Sequence, residues 1–373
     1  MNDIRHDKLA DIIVNYSLKL QAGEKVLIRG NGYVTEPLVR ALLRAAKAAG
    51  ALPIYRMDSN ALTREWLKDA DSEMIKLAAM ADEYQMKQMD AFVGITAPEN
   101  ALELSDLPET VMRDYEKFYI EPVHMKLRVP HTRWTVLRYP TQALAQSAGM
   151  SSEGFEDWYF RVCLIDYARM GEVLAPLKSL MEKTKHVRIL GPGETDLSFS
   201  IKDIPVIPCS GRANIPDGEI YTAPVKNSVN GIIAYNTSSI YSGFQFTDIR
   251  FRFEQGRIVE ASANDTKRIN AVLNIDEGAR YVGEFALGVN PHITYPINNT
   301  LFDEKIRGSL HFTPGNSYDH ASNGNKSILH WDIVLLQEKQ HGGGEIYFDD
   351  VLIRKDGRFV LKELEGLNPE NLG

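Results

Sequence analysis

Between residues 25 and 95, short apolar runs alternate with stretches of helical periodicity, and this alternation narrows the first half of the chain to one architecture. Residues 25–29 (KVLIR), 51–56 (ALPIYR) and 91–95 (AFVGI) read as strands, while residues 36–49 and 72–88 read as helices, the first closed by Gly50. Strands separated by whole helices do not pair as tight hairpins; they lie side by side in a parallel sheet with helical crossovers. A helix over residues 8–20, ended at Ala22-Gly23, precedes this unit, a further strand is expected at 134–140, and a long helical region over 152–183 carries the chain onward. Sheets of this kind bind ligands beyond the carboxyl ends of their strands, where Gly30-Asn31-Gly32 falls. The segment GNGYVTE lacks the third glycine of G-x-G-x-x-G, and no Walker sequence occurs, so nucleotide binding is not indicated.

After about residue 183 the pattern turns strand-rich. Runs at 186–190, 195–201, 218–223, 231–235 and 244–253 are separated by turn residues, and Glu254-Gln255-Gly256 and Lys355-Asp356-Gly357 look like hairpin turns. One helix, over 265–281, interrupts the series. The expectation is therefore an α/β N-terminal domain with a parallel sheet (1–183), followed by an antiparallel-rich α+β domain (184–373), consistent with a chain of 373 residues being long for one core. A formal charge of −8 disfavours nucleic acid and anionic membrane as partners, since both need a positive field. Cys163 and Cys209 have no C-x-x-C partner, so neither a disulfide framework nor a thiolate zinc site is expected, and Cys163, inside a helical stretch with no histidine nearby, reads as a structural thiol. The first twenty residues lack the features of a secretory leader and no run is long enough to span a bilayer, which makes the cytoplasm the expected location.

Ionisable residues inside apolar runs carry the chemical signal, because an unpaired charge is costly to bury and a cation is the simplest compensator. Residues 328–336 (ILHWDIVLL) are apolar enough for a central strand, in which His330 and Asp332 would share a face and Trp331 would take the other. Such a pair is half of a divalent-metal site, or simply a His–Asp hydrogen bond. His311 ends the strand-like run 305–310 and opens onto Thr313-Pro314-Gly315-Asn316, a turn signal. Glu284 is an acid embedded between Gly283 and Phe285-Ala286-Leu287. Glu219 starts the strand fed by the turn Asn214-Ile215-Pro216-Asp217-Gly218, and alone would be a strand-edge carboxylate.

Taken as an ordered set, Glu219 in PDGEIYTAP, Glu284 in GEFALGVN, His311 and Tyr318 in HFTPGNSY, and His330 with Asp332 in SILHWDIV resemble the aminopeptidase T family, the thermophilic-type two-metal metalloaminopeptidases. The likeness runs from AGEKVLIRG through GPGETDLSF to the terminal hairpin. It implies a metal-dependent aminopeptidase that removes N-terminal residues from short peptides, with Glu219, Glu284, His311, His330 and Asp332 holding two divalent ions in the second domain and the first domain shaping access. Three carboxylates neutralise most of two dications, and the mixed nitrogen and oxygen donors suit zinc, cobalt or manganese better than calcium or magnesium. The resemblance further implies that the free α-amine of the peptide docks against the cluster, that Glu219 or Glu284 serves as general base, that Tyr318 either donates to the developing oxyanion or is a packed loop tyrosine, and that the protein is a homodimer. His320 is a further candidate to line the cleft, His131-Thr132-Arg133-Trp134 and Arg138 are candidates to reach the site from the first domain, and most of the other histidines are expected to be structural or exposed. Thr313-Pro314 departs from the Ala and large apolar residue of many relatives, which alters the pocket beside His311 and Tyr318. Two other readings share these residues: a different two-metal amidase or esterase, and a non-enzymatic ligand-binding α/β protein.

Overall fold

In the computed structural model, which describes residues 3–100 and 102–372, the alternating runs of the first half form the expected parallel sheet. Its order is Leu52–Asp58, Lys25–Asn31, Ala91–Thr96, Arg133–Arg138 and Asn214–Ile215, with every neighbouring pair parallel. Consecutive buried residues in the central strands (Val26, Leu27 and Ile28; Ala91, Phe92 and Val93) show that both sheet faces are covered, which is why these runs are apolar rather than alternating. Helices Glu36–Ala48 and Ser72–Met86 make the crossovers, and the first buries Leu38, Val39, Ala41, Leu42 and Ala46 along one face. At the N-terminus the helix starts earlier than its periodicity predicts: Asp3 caps Ile4–Asp11, which continues as a wider π-helical stretch, Ile12–Ser17.

The chain divides into two units, Met1–Leu164 with Gly211–Pro216, and Ile165–Ser210 with Asp217–Gly373. The helical region 152–183 is two helices, Ser152–Cys163 and Tyr167–Met181. Asp166 caps the second by accepting from Arg169 N, and the sequence-based boundary at residue 183 lies just past this helix.

The second unit is antiparallel, as its hairpin signals predict. An eight-stranded sheet runs from Arg257–Ser262 at one edge to Arg358–Phe359 at the other, and a five-stranded sheet has the order Val334–Leu336, Ser309–Pro314, Val282–Gly288, Glu219–Thr222 and Ile207–Cys209. Phe199 and Phe253 of the larger sheet pack on Phe285 and Phe312 of the smaller, with ring centroids 5.0–5.8 Å apart. Two expectations are too generous in regular structure. The run 244–253 is two strands, Phe244–Phe246 and Arg250–Glu254, and the helix expected over 265–281 is Thr266–Val272 followed by a single turn at Gly278–Arg280.

Candidate metal centre

The two-residue period of the small sheet decides which side chains meet. Phe285 pairs with Phe312 and both face the larger sheet; Ala286 pairs with His311 and Glu284 with Thr313, so the acid and the imidazole project from the opposite face. On the neighbouring strand Tyr221 pairs with Ala286 and Glu219 with Gly288, which puts Glu219 on that same face. Every residue of Glu219–Thr222, Val282–Gly288 and Ser309–Pro314 is buried. One face supplies the apolar core that anchors the strands, and the other carries the ionisable groups.

Two expectations about these strands need correction. His311 does not end a strand over 305–310: it sits in the middle of Ser309–Pro314, fully buried, and the turn begins only at Gly315. Residues 328–336 do not form one central strand either, since only Val334–Leu336 pairs in the sheet, and His330 makes an isolated bridge with Gly315. Side chains satisfy much of this segment instead. Asp276 accepts from Ile328 N, Trp331 donates to Ser239 and packs on Tyr241 and Phe246, and Asp332 accepts from the Thr313 hydroxyl at 2.7 Å. Gly315, at φ +111°, lets this segment approach: a Cβ there would lie 2.1 Å from the Leu329 carbonyl oxygen.

All five metal-type residues nevertheless converge. His311 Nε2 lies 2.9 Å from Glu284 Oε1 and 3.7 Å from Glu219 Oε2; His330 Nε2 lies 3.3 Å from Asp332 Oδ1 and 3.6 Å from Glu284 Oε2. Ligand-type atoms of Glu219, Glu284 and His311 fall within 4.8 Å of one another, as do those of Glu284, His330 and Asp332, so Glu284 belongs to both sets. Among the described residues, Glu219 Oε2, Glu284 Oε2 and His330 Nε2 are buried without a hydrogen-bond partner. A buried polar atom in that condition is destabilising by about 1–3 kcal/mol, more when charged, unless something else satisfies it. His330 Nδ1 donates to the Asn316 carbonyl at 2.8 Å, which fixes the tautomer and turns the Nε2 lone pair toward the acids. Orphaned oxygens, an oriented imidazole and nitrogen and oxygen donors together fit divalent cations.

The electrostatics point the same way. Burial pushes the Glu219 carboxyl up to about 8. For His311 burial opposes the charge, but the hydrogen bond to Glu284 and the field of Glu219 override it and raise the pKa to about 9. His330 rises to about 10 against its own burial through Asp332, and the positive charge of His330 in turn holds Asp332 well below the ordinary carboxylate range. Metal-free, the cluster draws protons onto its imidazoles to offset its acids, which is the demand a cation would meet.

Tyr318 follows the turn at Gly315. Its ring lies 4.7 Å from that of His330 and stacks on His320 at 5.6 Å, and His320 Nε2 hydrogen-bonds the Tyr221 hydroxyl. Although Tyr318 is 42% exposed, desolvation on its inner side and the neighbouring acids Asp332 and Glu284 raise its phenol above the usual range, so it is a proton donor rather than a phenolate.

Sequence reasoning missed the charges behind the cluster. Lys305 is fully buried, with Nζ 3.5 Å from Glu219 Oε1 and bonded to Glu304 Oε1. Burial works to remove its proton, and the field of Glu219, Glu304 and Asp217 overrides it and raises the pKa. Asp217 and Cys209 form a third set with Glu219, but Lys305 already supplies positive charge there. Nothing in FDEKIRG marks Glu304 and Lys305 as buried, since exposure is the ordinary fate of lysine and glutamate.

Residues 2–359 match the family described as thermophilic metalloprotease (M29). Aminopeptidase 2 of Geobacillus stearothermophilus is 26% identical over a 408-residue alignment that covers 94% of each chain, and aminopeptidase AmpS of Bacillus subtilis is 33% identical over 33% of this chain and 30% of its own. Among solved structures, wild-type AmpT from Thermus thermophilus superposes with a TM-score of 0.79 at 22% identity, covering 96% of this chain and 99% of that one. A 2,5-dihydroxypyridine dioxygenase from Pseudomonas putida KT2440 also superposes over 96% of this chain and 98% of its own, with a TM-score of 0.62 at 13% identity. Because both share the architecture, the fold alone does not select the chemistry.

Proposed function

The chain belongs to the thermophilic metalloprotease (M29) family, and from that premise we propose that it is a metal-dependent aminopeptidase working through two divalent ions. The observation that carries this reading is Glu284: one carboxylate stands between two ligand sets, Oε1 toward His311 and Oε2 toward His330. Glu219, Glu284 and His311 would hold one ion, and Glu284, His330 and Asp332 the other, with zinc, cobalt and manganese suited to these donors. Bound there, such ions lower the pKa of water toward about 7 and polarise a carbonyl.

The residues do the rest. Asn316 holds the His330 tautomer and Thr313 orients Asp332, so the donor atoms are set before substrate arrives. The proton lost by the attacking water goes to a carboxylate of the cluster, Glu219 or Glu284. Tyr318, kept protonated, donates to the oxyanion that develops on the carbonyl oxygen. Short peptides with a free N-terminus as substrates, and a homodimer as the assembly, are taken from the family resemblance. No helix among the described residues is long and apolar enough to cross a membrane.

Hydrolysis of Leu-p-nitroanilide and its N-acetylated form, before and after chelation and readdition of zinc, cobalt or manganese, tests the reading. The free-amine substrate should be cleaved about 100-fold faster or more, since an acetylated amine leaves the groups that bind it unpaired. Equal rates would refute the aminopeptidase and favour a general amidase or esterase. Activity untouched by chelation would refute the metal centre.

A further inference from the structure

Beside Asp332 the second unit carries a narrow cleft of about 30 Å³ whose lining includes Thr237, Ser239, Ile240, Asp303 and Glu304. Asp332 is common to this cleft and to the candidate metal set, so the cleft adjoins the cluster. The α-amine of a peptide is one Cα away from the first carbonyl, and the group that recognises it must therefore lie beside the cluster. Three carboxylates line the cleft. Asp332 belongs to the metal set. Asp303 is occupied by backbone, with Oδ1 accepting from Ile297 N at 2.7 Å and Oδ2 from Asn299 N at 3.0 Å. Glu304 remains. Its Oε1 takes the Lys305 ammonium, and a carboxylate with two oxygens has Oε2 left to accept from a second cation.

We propose that Glu304, pinned by the buried Lys305, binds the α-ammonium of the peptide in this cleft and so confines cleavage to the first residue. The proposal rests on the aminopeptidase reading and adds the residue that recognises the free amine. Lys305, fully buried, does not reach substrate; it is a positioning residue that spans Glu304 and Glu219 and so fixes the amine anchor relative to the metal ligands. At the mouth of the cleft Ile240, exposed at the rim, then faces the first side chain.

Glu304→Gln keeps the shape and removes the charge. On Leu-p-nitroanilide it should raise KM about tenfold or more while kcat stays within about threefold, with both metal ions retained by elemental analysis and the preference over the acetylated substrate reduced in proportion. Glu304→Asp should recover part of the loss. Unchanged KM and unchanged discrimination would overturn the proposal, as would a loss of metal that accounts for the whole effect. If the wild type itself fails to discriminate, it is the aminopeptidase reading that falls, before Glu304 is reached. Should Glu304→Gln fail to fold, Ile240→Trp serves at the exposed rim: a preference shifted toward smaller first residues with metal intact supports this placement of the cleft, and an unchanged preference overturns it.

Discussion

Replacing Glu284 with glutamine removes one negative charge and preserves the side-chain outline, and its consequence follows from the sharing of that residue between two ligand sets. A ligand at a hundredfold excess over its Kd stabilises the fold by about 2.7 kcal/mol, so two filled sites contribute about 5 kcal/mol. At about 2–4 °C per kcal/mol for a unit of this size, chelation should lower the wild-type melting temperature by roughly 10–20 °C. Glu284→Gln should forfeit that whole shift. Glu219→Gln and Asp332→Asn, each confined to one histidine-containing set, should forfeit about half. The metal-free variant itself should change much less, because two terms of similar size oppose each other. It loses a charge-assisted hydrogen bond from His311, worth about 1.5–3 kcal/mol, and it relieves a buried anion whose Oε2 has no partner. Calorimetric melting with and without chelator, alongside elemental analysis of each variant, reads both quantities. A Glu284→Gln protein that keeps one ion and half the wild-type shift would refute the idea of a shared carboxylate.

Two further outcomes follow. Tyr318→Phe should retain metal and KM while kcat falls about 10²–10³-fold, the usual effect of removing an oxyanion donor, and full activity would reduce Tyr318 to a packing residue. In the metal-free protein, His311 and His330 hold pKa values of about 9 and about 10 against an ordinary 6.5, and Glu219 about 8 against 4.5. All three bind the proton more tightly folded than unfolded. Their contribution is complete below the unfolded values and is lost as pH rises through about 8 to 10, so the metal-free protein should melt lower at alkaline pH, and loading near neutral pH should release protons. Melting that is independent of pH over that window, or loading without proton release, would contradict this.

How much of this was legible beforehand varies with the physics behind each feature. The parallel sheet could be read because helices and strands alternate and each crossover is local. The strand Asn214–Ile215 could not, because two residues carry no periodicity and their partner, Arg133–Arg138, lies far away in sequence. Glu219 and Glu284 were legible as acids in apolar strands, and the regular two-residue period of those strands puts them on one face. His330 and Asp332 were paired correctly on wrong grounds: the apolar run around them suggested a strand ladder, whereas Asp276, Ser239 and Thr313 side chains satisfy the segment instead. His311 reads as a strand end because Thr313-Pro314 resembles the start of a turn, yet those residues continue the strand until Gly315 supplies the positive φ. Lys305 was invisible, since its burial depends on the distant Glu219 to keep it charged.

The central claim, a pair of cations gripped on either side of Glu284, is tested most directly by anomalous diffraction from crystals soaked in zinc or manganese. Two peaks about 3.5–4 Å apart are expected, one bordered by Glu219 and His311 and the other by His330 and Asp332, with Glu284 between them. A single peak away from Glu284, or none after soaking at saturating metal, would contradict it.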